Sequence, residues 1–207
     1  MMQTHTFRYF FIPYLLFLIL GFAHVSVGEH GEFVLWLNKN HNSFLDYFFR
    51  IWTYGGDEIV YSIIAICLLI WRRKFGYVFL LVGLVEGLIS LTMKQFFFSD
   101  TPRPRKFFEG REVLNFVEGV KIRDFNSFPS GHTMTAFAIA TFLALMMGKK
   151  EWSVALLFGA LFVGISRMYL NQHFLIDVTV GSFIGVIVAV ICYKVFEKYL
   201  KPSVSAS

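Results

Sequence analysis

Charge is scarce in this chain: 16% of its 207 residues are Asp, Glu, Lys or Arg, against 56% hydrophobic and 19% aromatic. That balance excludes an ordinary soluble domain, because one globular core has no room for the apolar surface of 26 Phe and the other hydrophobics in so short a chain. Cysteine is nearly absent, and Cys67 and Cys192 both lie inside apolar runs, which argues against a disulfide framework. No internal repeat or low-complexity tract divides the chain, so it reads as a single domain over residues 1–207. A formal net charge of +5 would suit nucleic acid, but the cations sit in short clusters between apolar runs. That arrangement points to the lipid bilayer as the partner instead.

What is present is hydrophobicity on the membrane length scale. A helical span needs about 20 mostly apolar residues. Six stretches approach this: 7–27, 59–71, 75–93, 133–147, 152–165 and 174–196. The expected fold is therefore all-α, a six-transmembrane helix bundle. An amphipathic interfacial segment is expected between helices 1 and 2, where "EFVLWLNKNHNSFLDYFFRIW" mixes aromatics with charges. The tetrad "YGGD" at 54–57 reads as a break before the second span. The first stretch reads as an uncleaved span, because the small-residue cleavage site near Ala23 is poor for a signal peptide.

Orientation follows from Lys and Arg in the short loops. Arg8, the "RRK" at 72–74, Lys149 with Lys150, and the tail lysines Lys194, Lys198 and Lys201 all fall on one side of six spans. That side is expected to be cytoplasmic, with both termini on it. The connection between spans three and four lies on the other side yet carries more cations than any of these loops. Long loops translocate largely regardless of charge, so the orientation stands.

Three clusters gather on that outer side: "KQFFFSDTPRP" leaving span three, "PSGH" entering span four, and "SRMYLNQHFLID" between spans five and six. His173 and Asp177, four apart, are expected to share one helix face, so that the carboxylate orients the imidazole as nucleophile or base. Lys94, Arg103 and Arg167 are three cations suited to a transferring phosphoryl group. Each has a plainer reading for the first two: a snorkelling lysine at a span end and a Pro-bracketed surface turn. Arg167, in an apolar setting, is harder to dismiss. Ser130 is a good N-cap and Gly131 leaves the first turn open, which makes the start of span four an anion site within reach of His132.

Together these residues resemble the type 2 phosphatidic acid phosphatase family, membrane relatives of the vanadium haloperoxidases. The second family motif matches at Pro129–His132, and the third at Ser166, Arg167, His173 and Asp177 with both spacings intact. The resemblance covers roughly residues 55–195. The first motif departs from the pattern, since Gln95–Pro102 puts eight residues between Lys94 and Arg103, more than the family usually has. Another half-turn of span three would absorb the excess.

The resemblance implies a phosphohydrolase that needs no metal or other cofactor and acts on a lipid phosphate. In it, His173 attacks phosphorus, Asp177 holds its imidazole, and His132 protonates the leaving oxygen and then activates water. Lys94, Arg103, Ser130, Gly131 and Arg167 hold the phosphate oxygens. The expected setting is a bacterial inner membrane with the site facing outward. A lipid A phosphatase or a lipid-to-lipid phosphotransferase would use the same groups, while a transporter or scaffold would tolerate loss of His173. Glu86, a carboxylate in mid-span about 12 Å along the helix from Lys94, reads as a structural hydrogen-bonding group to a neighbouring helix. Arg105, Lys106 and Arg111 suit either a bulky anionic headgroup or a solvated helix.

Overall fold

Backbone polar groups in lipid must be satisfied within the segment that carries them, which is why long apolar runs fold as helices. A computed structural model describes residues 4–200, and all regular structure among them is helical. In chain order the α-helices are α1 (Thr4–Val27), α2 (Glu32–Lys39), α3 (Ser43–Trp52), α4 (Glu58–Trp71), α5 (Arg73–Thr92), α6 (Pro104–Phe107), α7 (Gly131–Met147), α8 (Lys150–Tyr169), α9 (Leu175–Val195) and α10 (Glu197–Leu200). A 3₁₀ turn, Thr53–Gly56, joins α3 to α4, and a π-helical turn, Met93–Phe97, extends α5.

Local chemistry sets the boundaries. Asn42 Oδ1 accepts from the Leu45 amide at 3.0 Å and Asp57 Oδ1 from the Ile59 amide at 2.9 Å, so each caps a helix start. Gly148, with φ +57°, ends α7 in the left-handed region that glycine adopts freely.

The six apolar stretches all appear as helices, but they are not six equal spans. Four segments are long and apolar enough to cross a membrane alone: Thr6–Val27, Arg73–Phe97, Lys150–Tyr169 and Leu175–Val195. A fifth is reached if Ser43–Gly56 and Glu58–Trp71, bent by 49°, act as one broken span. The 17-residue α7 also falls short of the length of a full span. Its position explains how so short a helix persists. It packs against α1, α5, α8 and α9, so its length is set by its neighbours.

The segment between α1 and α4 forms two helices, and it is tied to the bundle rather than lying free of it. Asn38 Oδ1 accepts from the Asn115 amide, and Asn171 Nδ2 donates to the Asn115 carbonyl at 2.8 Å. Tyr169 donates to Asp46 at 2.5 Å, and the Phe49 ring packs at a tilt against Tyr169, centroids 4.7 Å apart. These contacts join α2 and α3 to the end of α8.

The core has three parts. Phe79, Val82, Phe142 and Ala189 fill the space between α5, α7 and α9. Phe10, Tyr14, Phe137 and Leu157 fill that between α1, α7 and α8. Val34, Phe49, Phe108, Tyr169 and Phe174 lie beneath the long connection and the α2–α3 segment. Outside this core Ile12, Leu16, Leu20, Leu84 and Leu88 are more than half exposed. A continuous apolar belt of that kind belongs in lipid, and the chain is an integral membrane protein.

Candidate active site

The site forms where the first turns of α7 and α9, the ends of α5 and α8, and the 98–130 connection meet. Ser130 stands at the N-cap of α7, but its hydroxyl does not cap an amide. It pairs with Thr133 Oγ1 at 2.8 Å and is fully buried, which corrects the expectation of a side-chain cap. The Ser130 amide instead donates to the Asp177 carbonyl at 3.1 Å, tying the start of α7 to that of α9. Lys94 reaches the same helix start, because a Cβ on Gly131 would lie 3.3 Å from Lys94 Nζ. The π-helical turn carries Lys94, so part of the longer spacing to Arg103 is taken up in a widened last turn of α5.

His173 and Asp177 come together, though not on one helix face. The helix begins at Leu175, leaving His173 before it and Asp177 in its first turn. Both side chains are almost fully buried, and Nδ1 of His173 is 3.4 Å from Asp177 Oδ2. No hydrogen bond closes that gap, because Oδ2 already accepts from Ser127 Oγ at 2.5 Å and from the Phe174 amide at 2.9 Å. Asp177 is thereby fixed by its own helix start and by the connection, with the imidazole in ion-pair range. Burial, and next the charges of Arg103, Arg167, Lys94 and His132, push the His173 pKa well below its ordinary 6.5. The ring is neutral at neutral pH.

Arg103 is buried at 4% exposure, not placed in a surface turn. Its Nε donates to the Phe125 carbonyl at 2.9 Å, Nη1 to the Gln172 carbonyl and Oε1 at 3.2 and 3.1 Å, and Nη2 to the Asn126 carbonyl at 3.1 Å. Nη1 also lies 3.5 Å from His173 Nε2. Burial, then the charge of Arg123, lower its pKa to about 10, so it stays charged at neutral pH. Arg167 is also buried, with Nη1 donating to Thr53 Oγ1 at 2.7 Å and Nε without a partner. Among the described residues none of Lys94, Arg103 and Arg167 has a carboxylate oxygen within 4.0 Å. Three cations without a carboxylate contact, Arg103 and Arg167 buried and Lys94 half-buried, are chemically suited to an anion with several oxygens.

His132, on the first turn of α7, keeps a side chain 35% exposed and points Nε2 toward Asp57 Oδ2 at 3.9 Å. Asp57 was legible in the sequence only as part of a helix break. Thr53, Ser127 and Gln172 were likewise unmarked, since each acts on a partner at least 45 residues away that no local spacing reveals. Asn126 and Asn171 hold left-handed backbone at φ +60° and +54° beside Arg103 and His173, a conformation Asn tolerates. The cations suspected of headgroup contact lie elsewhere. Arg105 pairs with Asp124 at 2.9 Å, Lys106 with Glu109, and Arg111 covers the Phe107 ring, so they belong to the solvated face. Glu86 Oε1 accepts from Thr135 Oγ1 at 2.7 Å, joining α5 to α7. Among the described residues no three His, Cys, Asp or Glu side chains gather as metal ligands.

Fold and side-chain geometry thus define a helical membrane protein in which three cations without carboxylate partners gather between helix ends, flanked by two imidazoles. The chain belongs to the PAP2 superfamily, whose family model matches residues 73–201. A lipid A 1-phosphatase of Porphyromonas gingivalis is 46% identical over 74 residues, which is 35% of this chain but only 17% of that protein's length. The crystal structure of Aquifex aeolicus LpxE shares 31% identity with a TM-score of 0.68, covering 79% of this chain and 93% of that one. A transmembrane PAP2-type phosphatidylglycerolphosphate phosphatase from Bacillus subtilis shares 26% identity at a TM-score of 0.66, covering 95% and 99%.

Proposed function

We propose that the chain is a lipid phosphate phosphohydrolase that works through a phosphohistidine on His173 and needs no metal. The observation that carries this is the meeting of Lys94, Arg103 and Arg167, none with a carboxylate partner, beside two imidazoles at helix starts. Nε2 of the neutral His173 attacks phosphorus, and the bond from phosphorus to the lipid oxygen breaks. His132 delivers a proton to that oxygen. Water, giving its proton to His132, then attacks the phosphohistidine, releasing inorganic phosphate and restoring His173. The cations, the Gly131 amide and Ser130 hold the non-reacting oxygens, supplying the positive charge that phosphoryl transfer requires. Asp177 supports the imidazole as it gains charge.

The substrate is a lipid phosphate or pyrophosphate of the phosphatidic acid, phosphatidylglycerol phosphate or undecaprenyl pyrophosphate kind. The names of the relatives, which include lipid A and phosphatidylglycerolphosphate phosphatases, support that class. The six apolar helices α1, α4, α5, α7, α8 and α9 all cross the membrane in this reading, with α2 and α3 at the outer interface. One catalytic domain spans residues 1–207 in a bacterial inner membrane, with the site outward and both termini inside. The test is phosphate release from a panel of purified lipid phosphates, with and without EDTA. Activity that survives EDTA, follows a bell-shaped pH profile and falls by about 10³-fold or more in His173→Ala is expected, a loss in the range that activated nucleophiles carry. Loss of activity in EDTA, or a His173→Ala enzyme that still turns over at the wild-type rate, would overturn the proposal.

A further inference from the structure

The 3₁₀ turn Thr53–Gly56 and the Asp57 that follows, read from the sequence only as a helix break, lie against Arg167 and His132. Thr53 holds Arg167, and the Trp52 indole donates to the Gly159 carbonyl at 3.0 Å, fixing the turn against α8. Gly56 touches α7 so closely that a Cβ there would lie 2.2 Å from the His132 carbonyl oxygen. Only glycine permits that approach, and it brings the next residue, Asp57, to the His132 ring.

The surroundings of His132 make this neighbour consequential. Lys94 on the π-helical turn after α5, Arg103 and Arg123 on the connection, and Arg167 on α8 all place positive charge around the ring. Asp57 is the one carboxylate within 4.0 Å of it among the described residues, and it also acts on Arg167. Burial, and next these cations, make the imidazole give up its proton readily, yet a general acid must hold one until the leaving oxygen takes it.

We propose that Asp57 is the positioning residue of His132, holding its ring and its proton so that the site contains two imidazole–carboxylate pairs, His173–Asp177 and His132–Asp57. This rests on the assignment of His132 as general acid. Asp57 touches neither phosphorus nor the leaving oxygen. In the first half-reaction it steadies the proton that passes from His132 to the lipid oxygen as the phosphorus–oxygen bond breaks. In the second it favours the proton that His132 takes from water.

The test exploits leaving-group chemistry. An alkoxide leaving from phosphatidic acid needs a proton, whereas 4-nitrophenolate leaving from an aryl phosphate does not, and kcat/KM reports the phosphorylation step for both. Asp57→Asn keeps an oxygen to cap α4 but removes the charge. It should lower kcat/KM on phosphatidic acid by about 10- to 100-fold, part of what a positioned acid supplies. The fall on 4-nitrophenyl phosphate should be within about threefold, with the thermal midpoint in detergent unchanged. Equal losses on both substrates, or no loss on either, overturn the role of Asp57. His132→Ala separates the two claims. If it too loses activity equally on both substrates, the general-acid assignment fails. If it shows the leaving-group pattern and Asp57→Asn does not, only the Asp57 inference fails.

Discussion

A single imidazole shows how burial becomes chemistry here. His173 is 2% exposed, buried beside Arg103, Arg167 and Lys94, so its neutral form persists well below pH 6.5 and its Nε2 lone pair stays available. The sign for stability follows directly. As pH falls below 6.5 the unfolded chain protonates an ordinary histidine while the native chain does not, so stability present above 6.5 is lost on acidification. For one proton the slope approaches about 1.4 kcal/mol per pH unit. The drop in thermal midpoint between pH 7 and pH 5 in detergent should therefore be smaller in His173→Asn than in the wild type. An equal or larger drop in the variant would mean that His173 titrates normally in the folded protein. The sequence showed the pair with Asp177 through its spacing, but it suggested a shared helix face. The actual link runs through a helix start, because Asp177 uses its oxygen on the Phe174 amide and Ser127.

Helix–helix approach decides whether those side chains meet at all. On α9, Gly181 and Gly185 sit four apart against the first turns of α7, in the small-residue pattern that lets membrane helices approach closely. A Cβ on Gly185 would lie 2.2 Å from the Met134 carbonyl oxygen, and one on Gly181 2.7 Å from that of Ser130. Gly185→Ala is expected to push α7 outward, destabilise the protein by about 1–3 kcal/mol, as overpacking does, and lower activity by moving His132. Gly87→Ala, on α5 with open space around it, should leave both thermal midpoint and activity near wild type. If the two variants behave alike, the α7–α9 contact does not set the site. The same close packing explains why the span count could not be read from composition alone. The helix α7 is short but central, and α4 is short but continues through a 49° bend into α3.

Taken as a whole, the molecule presents one end that carries the cation and imidazole cluster and another that carries the short basic loops. In the proposed six-crossing topology, the connection holding Glu112 faces outward and the α7–α8 turn at Lys149 faces inward. In intact cells a membrane-impermeant maleimide should label Glu112→Cys but not Lys149→Cys, which should react only after permeabilisation. The native Cys67 and Cys192 lie within apolar helices and contribute little background. Labelling of both positions from outside would show that α7 does not cross, and the reverse pattern would invert the orientation.

Composition and hydrophobic patterning alone determined that this chain lives in lipid and folds as helices, and motif spacing marked Lys94, Arg103, His132, Arg167, His173 and Asp177 as candidates for phosphate chemistry. These follow from local quantities: hydrophobicity per segment, loop charge and the intervals between side chains. Only the tertiary structure decided which cations are internal. Arg103 is buried and held by the Gln172 side chain and three backbone carbonyls, while Arg105, two residues on, pairs with Asp124 at the surface. It also decided that Asp57, 75 positions before His132, is that ring's neighbour. Burial and charge neutralisation depend on what the rest of the chain brings near, and residue spacing along a sequence does not contain that information.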